Sequence, residues 1–181
     1  MFVLTSPEIV EQGVIPVKYT NGGFGVEGGL NISPPFTWKG APGGTKSFAL
    51  TFVDPDVPLE AEWFPYRDQV KVGMLPGDLF IHWIICDIPA SVTSLAEGAS
   101  PDKLPSGAKE LATSFSAFGL KGYGGAAPPQ GHKAHGYIFT LYALNVDSLG
   151  LTPDNNYVDL MNAMKGKVLA TSSLTAYFGH Y

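Results

Sequence analysis

A single cysteine, Cys86, stands in a chain of 181 residues, which excludes an intrachain disulfide framework. It lies in the apolar run FIHWIICDIP and is expected to be a small buried hydrophobe rather than a reactive thiol. Charge is scarce as well: Lys and Arg number 11, Asp and Glu 16, for a formal net charge of −5. With no cluster of Lys or Arg, the electrostatic footprint for nucleic acid or an anionic membrane surface is missing. No run approaches the ~18 apolar residues of a membrane helix, and the opening MFVLTSPEIVEQG has neither the basic start nor the long apolar stretch of a secretory signal. The expectation is a cytoplasmic protein without a transmembrane segment. Two catalytic signatures are also lacking. There is no G-x-S-x-G elbow. GFGVEG, residues 23–28, fits G-x-G-x-x-G but runs into Pro34 and Pro35, with no helical period to receive a pyrophosphate.

What is present points to strands. Apolar residues make up 45% of the chain, with 22 glycines and 15 prolines, a composition that favours strands and turns over long helices. The length fits one domain, residues 1–181, large enough to bury a proper core. KSFALTFV, residues 46–53, sets Phe48, Leu50 and Phe52 on one side of a half-buried strand. FIHWIICDI, residues 80–88, is apolar at both parities and reads as a central strand covered on both faces, with His82 at its entrance. GYIFTLYALN, residues 136–145, repeats the pattern, and period-two geometry sends His135 and Tyr137 to one side if the strand begins at His135. Near the end, VDLMNAMKGKVLA places Val158, Met161, Met164 or Lys165, and Val168 at helical spacing behind the capping stretch TPDNN, with Gly166 as its weak point. The fold class expected is all-β, with short helices.

FVDPDVP, residues 52–58, holds two carboxylates, Asp54 and Asp56, between Pro55 and Pro58. Proline restricts its own φ and the residue before it, so neither aspartate wanders far. The favoured constellation gathers Asp54, Asp56, His82, His135 and Tyr137 at one pocket mouth. The residues alone also permit each side chain to end its strand independently, with aspartates capping turns and histidines half-buried. GHKAHG supplies His132 and His135 three apart, which with His82 and the aspartates admits a zinc site. Its place in a loop rather than on a helix argues for a solvated His132 instead.

DPDVP, then a histidine opening HWIICDIP, then GYGGAAPPQGHKAHGYIFTLYAL together resemble the phosphatidylethanolamine-binding protein (PEBP) family in its bacterial and archaeal, Raf kinase inhibitor-like branch. NISPPFTW, GTKSFALTFVDPD, IPASVTSLAEGAS and AMKGKVLA resemble that branch in matching order, so the likeness spans most of the chain. It implies a β-sandwich of antiparallel sheets with short peripheral helices, and a pocket for small anions such as phosphate or for phosphate-bearing head groups. Its acidic side then falls on Asp54 and Asp56, flanked by Pro55, Val57 and Pro58, and its histidines on His82 and His135. Pro129 and Tyr137 match the remaining positions. Two features depart from the family pattern. Gly136 stands where arginine commonly follows the second histidine, and the stretch from Leu59 to Ile81 is longer than this branch usually carries.

The implied function is a non-catalytic binding protein for a small anion or phosphorylated ligand, with no cofactor and no metal. In such a site His82 and His135 would donate charge-assisted hydrogen bonds, Tyr137 would donate through its hydroxyl, and the aspartates would accept from the imidazoles or from a hydrogen-bearing ligand oxygen. The alternative is an inhibitor of a protein partner, a kinase or a serine protease, with Trp63, Phe64 and Tyr66 as anchors unless they fill the core. A third reading is a phosphate-ester hydrolase with Asp54 or His135 as general base. Self-association as a homodimer is left open.

Overall fold

The computed structural model describes residues 1–57 and 79–180. Among the described residues, eight strands form two antiparallel sheets. The larger has the order β6-β4-β3-β7-β8 and the smaller β1-β2-β5, where β1 is Val3–Thr5, β2 Phe36–Lys39, β3 Ser47–Asp54, β4 Phe80–Pro89, β5 Ser94–Leu95, β6 Lys109–Glu110, β7 His135–Leu144 and β8 Val168–Phe178. The chain is therefore β-rich, as the composition predicts. Among the described residues, no helix is long and apolar enough to cross a membrane.

β3 lies at the centre of the five-stranded sheet, and all eight of its residues are buried, where alternation alone predicts a half-buried strand. Its Phe48, Leu50 and Phe52 join Trp83, Phe139 and Leu141 in one core, which the small sheet closes with Leu4, Phe36 and Trp38. Phe52 stacks on Phe139 with ring centroids 4.0 Å apart. The opposite parity, Ala49 and Val53, packs with Ile81, Ile84 and Cys86 beneath α1, the helix Tyr157–Met164. Cys86 is fully buried, and that burial, the largest cause, pushes its thiol up to about 12, so it acts as a hydrophobe.

β4 departs from simple alternation twice. Phe48 pairs with Ile88 but Leu50 with Ile85, so the register slips, and Asp87 sits there with φ 57°. Ile88 is thereby turned onto the same core as Ile85. The second slip matters for function: Phe52 pairs with Trp83 and Val53 with Ile81, leaving His82 as the unpaired residue of a bulge. Bulges re-aim a side chain. Strict alternation would put His82 on the face of Ile84 and Cys86, yet Ile81 takes that face instead.

The C-terminal reading needs correction. α1 stops at Met164, not near Val168, and buries Leu160 and Met164, whereas Val158 is 40% exposed. Asn156 and Asp159 form a capping box that fixes its start. Gly166, at φ 72°, adopts the left-handed backbone that ends helices. Val168 then opens β8, which pairs with β7 from Leu144 back to His135. This strand escapes the sequence pattern because the half of it running from Val168 to Ser173 is solvent-facing or half-buried, and its apolar residues also fit a helical period.

Candidate functional site

The site is built at the end of the large sheet where β3 finishes and β7 begins. Asp54, the last residue of β3, is 2% exposed. One carboxylate oxygen, Oδ1, accepts the N–H of Asp56 at 2.8 Å, and the other, Oδ2, accepts from His135 Nδ1 at 2.8 Å. A carboxylate can only accept, so His135 carries its proton on Nδ1. Both side chains of this pair are at most 3% exposed. Asp56 reaches across to the same strand start, its Oδ2 accepting the N–H of Gly136 at 2.8 Å. The two carboxylates of the Pro-framed segment thus staple β3 to β7 through one imidazole and one backbone amide.

His82, thrown inward by the bulge, packs its ring against Phe52 at 4.9 Å, Phe80 at 5.0 Å, Phe115 at 5.3 Å and Tyr137 at 5.3 Å. Its Nδ1 lies 2.8 Å from the carbonyl oxygen of Gly124, and the N–H of Gly124 returns a bond to the His82 carbonyl at 3.0 Å. Burial lowers the His82 pKa below 6.5, outweighing Asp54 and the backbone of Gly124 and Gly125, which act to raise it. Tyr137 is fully buried, and its hydroxyl has no aligned hydrogen-bond partner among the described residues. Burial first, and then the charge of Asp54, hold that phenol well above 10.

Between these groups is a cavity of about 90 Å³. Asp54, His82, His135 and Tyr137 supply its polar lining. The rest is apolar: Val57 after β3, Phe80 on β4, Phe24 from the glycine-rich loop, Phe115 and Phe118 from a 3-10 turn, and the Ala127–Pro129 stretch. No lysine or arginine lines it among the described residues. Of the residues singled out from sequence, Asp54, Val57, His82, Pro129, His135 and Tyr137 meet at this cavity. Pro55 and Asp56 are exposed and stand outside its lining. Pro58, Trp63, Phe64 and Tyr66, with most of the stretch from Leu59 to Ile81, lie outside the described residues.

The H-x-x-H pair does meet, with His132 Nδ1 at 3.3 Å from His135 Nε2. Among the described residues no group of three or more His, Cys, Asp or Glu could hold a metal ion. The aromatic wall of Phe24, Phe115 and Phe118 was not anticipated. GGFGV and FSAFGL carry it, but neither has a spacing that signals a pocket. At Gly136 an added Cβ would sit 3.2 Å from Tyr177 Cε1 and 3.4 Å from Asp56 Oδ2. Asp56 is accordingly held by a backbone amide at the position where the family commonly has an arginine.

The depressed His82 pKa carries a stability prediction. The unfolded chain takes up the histidine proton first, so stability from His82 is complete above about pH 6.5 and is lost as pH falls from there through the folded pKa. The slope is at most about 1.4 kcal/mol per pH unit for one proton. Urea midpoints measured from pH 7 down to 5 should fall less steeply in His82→Gln than in the parent chain. Parallel curves would show that His82 does not titrate across the transition.

The chain matches the family described as phosphatidylethanolamine-binding protein over residues 5–179. YbcL of Escherichia coli strain K12 is 34% identical over 180 residues, covering 98% of this chain and 87% of that protein. A protein of Aquifex aeolicus is 36% identical over 150 residues, 83% of this chain and 75% of its own length. The crystal structure of E. coli YbcL, described as a new member of the mammalian PEBP family, superposes with a TM-score of 0.83 at 33% identity over 99% of both chains. A carboxypeptidase Y inhibitor, solved in complex with its cognate proteinase, shares the fold at a TM-score of 0.54 and 17% identity, over 99% of this chain and 83% of the inhibitor. With a family match across nearly the whole length and a β-sheet arrangement held in common with YbcL, this chain belongs to the phosphatidylethanolamine-binding protein family.

Proposed function

We propose that the protein binds a small oxyanion, or the phosphate of a phosphate-bearing ligand, in the cavity between Asp54, His82, His135 and Tyr137, without turning it over. The observation that carries this reading is the Tyr137 hydroxyl, fully buried and without a partner among the described residues. A buried hydroxyl left unpaired costs about 1–3 kcal/mol, and an oxygen of a bound anion removes that cost. The volume, about 90 Å³, suits a head group rather than a lipid chain. The polar groups make no set of nucleophile, base and oxyanion donors: Asp54 and His135 form a pair, and no serine, threonine or cysteine lines the cavity among the described residues.

Tyr137→Phe tests the reading. Affinity for inorganic phosphate, measured by calorimetry, is expected to fall about tenfold or more, because a hydrogen bond to a charged group is lost. Stability is expected not to fall, since the deleted hydroxyl has no aligned hydrogen-bond partner among the described residues. An unchanged dissociation constant would remove Tyr137 from the site and the reading with it. Affinity in the parent chain should also rise between pH 8 and 5.5, as protons become available to His82 or to the ligand itself; a flat profile would contradict proton sharing.

A second reading, inhibition of a protease or kinase, draws on the fold shared with the carboxypeptidase Y inhibitor. Inhibition assays against a serine carboxypeptidase, with the parent chain and with a chain shortened between residues 59 and 78, would test it. Inhibition that survives the shortening would exclude that segment as the contact surface.

A further inference from the structure

Phe24 differs from every other described residue of the cavity wall. It is 38% exposed, whereas the rest are buried or half-buried. It lies in the stretch NGGFGVEGGL, residues 21–30, whose ends meet where the N–H of Asn31 donates to the Thr20 carbonyl at 2.8 Å. A stretch of this length closed on itself is a compact surface loop of the Ω kind.

The neck of the loop is fixed and its tip is not. The Asn21 N–H donates to the Ala126 carbonyl at 3.0 Å. Asn31 Nδ2 donates to the Tyr123 carbonyl at 3.2 Å, and Asn31 Oδ1 accepts the Gly125 N–H at 2.7 Å. Gly22 and Gly29 pass so closely that a Cβ built on Gly22 would collide with the Gly29 carbonyl oxygen. Val26, 3% exposed, anchors the far side of the tip in the main core. Between Asn21 and Val26, residues 22–25 are all exposed. The backbone bonds they donate, Phe24 N–H to Asn21 O and Gly25 N–H to Gly22 O, both at 3.1 Å, stay inside the loop. Gly25 has φ 98°, a conformation that glycine adopts without steric cost. Among the described residues, what ties the tip across the cavity is the Phe24 ring, edge-on to Phe115 at 5.1 Å and to Phe118 at 5.3 Å. That seat is rigid, because Thr113 and Ser116 form a capping box on the 3-10 turn Ser114–Phe118. An exposed backbone with few buried contacts belongs to the low end of local stability.

We infer that Phe24 is the gate of the cavity. With the neck fixed, the tip Gly22–Gly25 turns so that the ring leaves Phe115 and Phe118 and the cavity opens to solvent; the return of the ring closes it. Hinges of this kind are a few loop residues that absorb the backbone change. The gate governs access alone, so it stands or falls separately from the oxyanion reading.

Thiol labelling of the intact chain tests the gate. Val57, 8% exposed and part of the cavity wall, is the reporter position. Cys86, fully buried in the core on the other face of the sheet, is an internal control for global opening. The Val57→Cys protein is treated with methyl methanethiosulfonate, and modification at position 57 and at Cys86 is followed by mass spectrometry of the peptides. Adding Phe24→Ala removes both edge contacts and is expected to speed modification at position 57 at least about tenfold, with Cys86 unchanged. Equal rates at position 57 with and without the ring would overturn the gate. Equal acceleration at both thiols would trace the effect to unfolding of the sheet and overturn it too. Amide hydrogen exchange in the parent chain gives a second readout that needs no substitution. The N–H groups of Phe24 and Gly25 are expected to exchange at least about tenfold faster than those of Asn21, Asn31 and Gly125 in the neck. Equal protection of tip and neck would overturn the inference.

Discussion

Replacing His135 with alanine is expected to be the most damaging single change at the site. The pair it forms with Asp54 is buried on both sides, at 1% and 3% exposure, with 2.8 Å between Nδ1 and Oδ2. Truncation strands a carboxylate away from water, and breaking a buried pair in this way costs about 3–5 kcal/mol. That is a large share of the roughly 5–15 kcal/mol that holds a domain folded. Phosphate affinity should fall in parallel, because Asp54 loses the partner that fixes its position beside the cavity. The cause can be checked with a double variant. In His135→Ala/Asp54→Asn the residue left behind is a neutral amide, so the loss of stability by urea denaturation should be smaller than in His135→Ala alone. A His135→Ala protein within about 1 kcal/mol of the parent chain would mean that the pair contributes little.

Gly124→Ala is expected to close the cavity from a position that touches no ligand. A Cβ built at Gly124 runs into the ring of Phe115, and Phe115 is part of the apolar wall. Overpacking of this kind costs about 1–3 kcal/mol. Beyond the cost in stability, a ring displaced into about 90 Å³ of free space leaves no room for a phosphate. Calorimetry should detect no phosphate binding, or binding weakened by well over tenfold, in a variant whose far-UV circular dichroism matches that of the parent chain. Affinity equal to the parent's would show that Phe115 yields outward and does not bound the site.

The strands were legible because their chemistry is local. KSFALTFV and GYIFTLYALN carry period-two patterns strong enough to place β3 and β7, and the antiparallel pairing of these strands, Val53 opposite Ile138, brings Asp54 and His135 together. The direction of His82 was not legible in the same way. It depends on a bulge, visible only as a slip between the pairs Phe52–Trp83 and Val53–Ile81, and nothing in HWIICDIP marks which residue is the extra one. Asp56 illustrates another limit. Its carboxylate looks like a ligand group in sequence, yet it accepts a backbone amide from Gly136 and acts as part of the frame. The aromatic wall comes from segments distant in sequence, whose meeting is a property of the packed sheets. At the C-terminus, Val168 fitted two periods, and the left-handed Gly166 decided in favour of the strand.

The most direct test of the account is a high-resolution crystal structure of the protein grown with inorganic phosphate. The account predicts phosphate in the cavity, one oxygen within hydrogen-bonding distance of the Tyr137 hydroxyl and another within reach of His82 Nε2 or Asp54. Phosphate bound elsewhere, or an empty cavity with the Tyr137 hydroxyl turned to a protein partner, would contradict it.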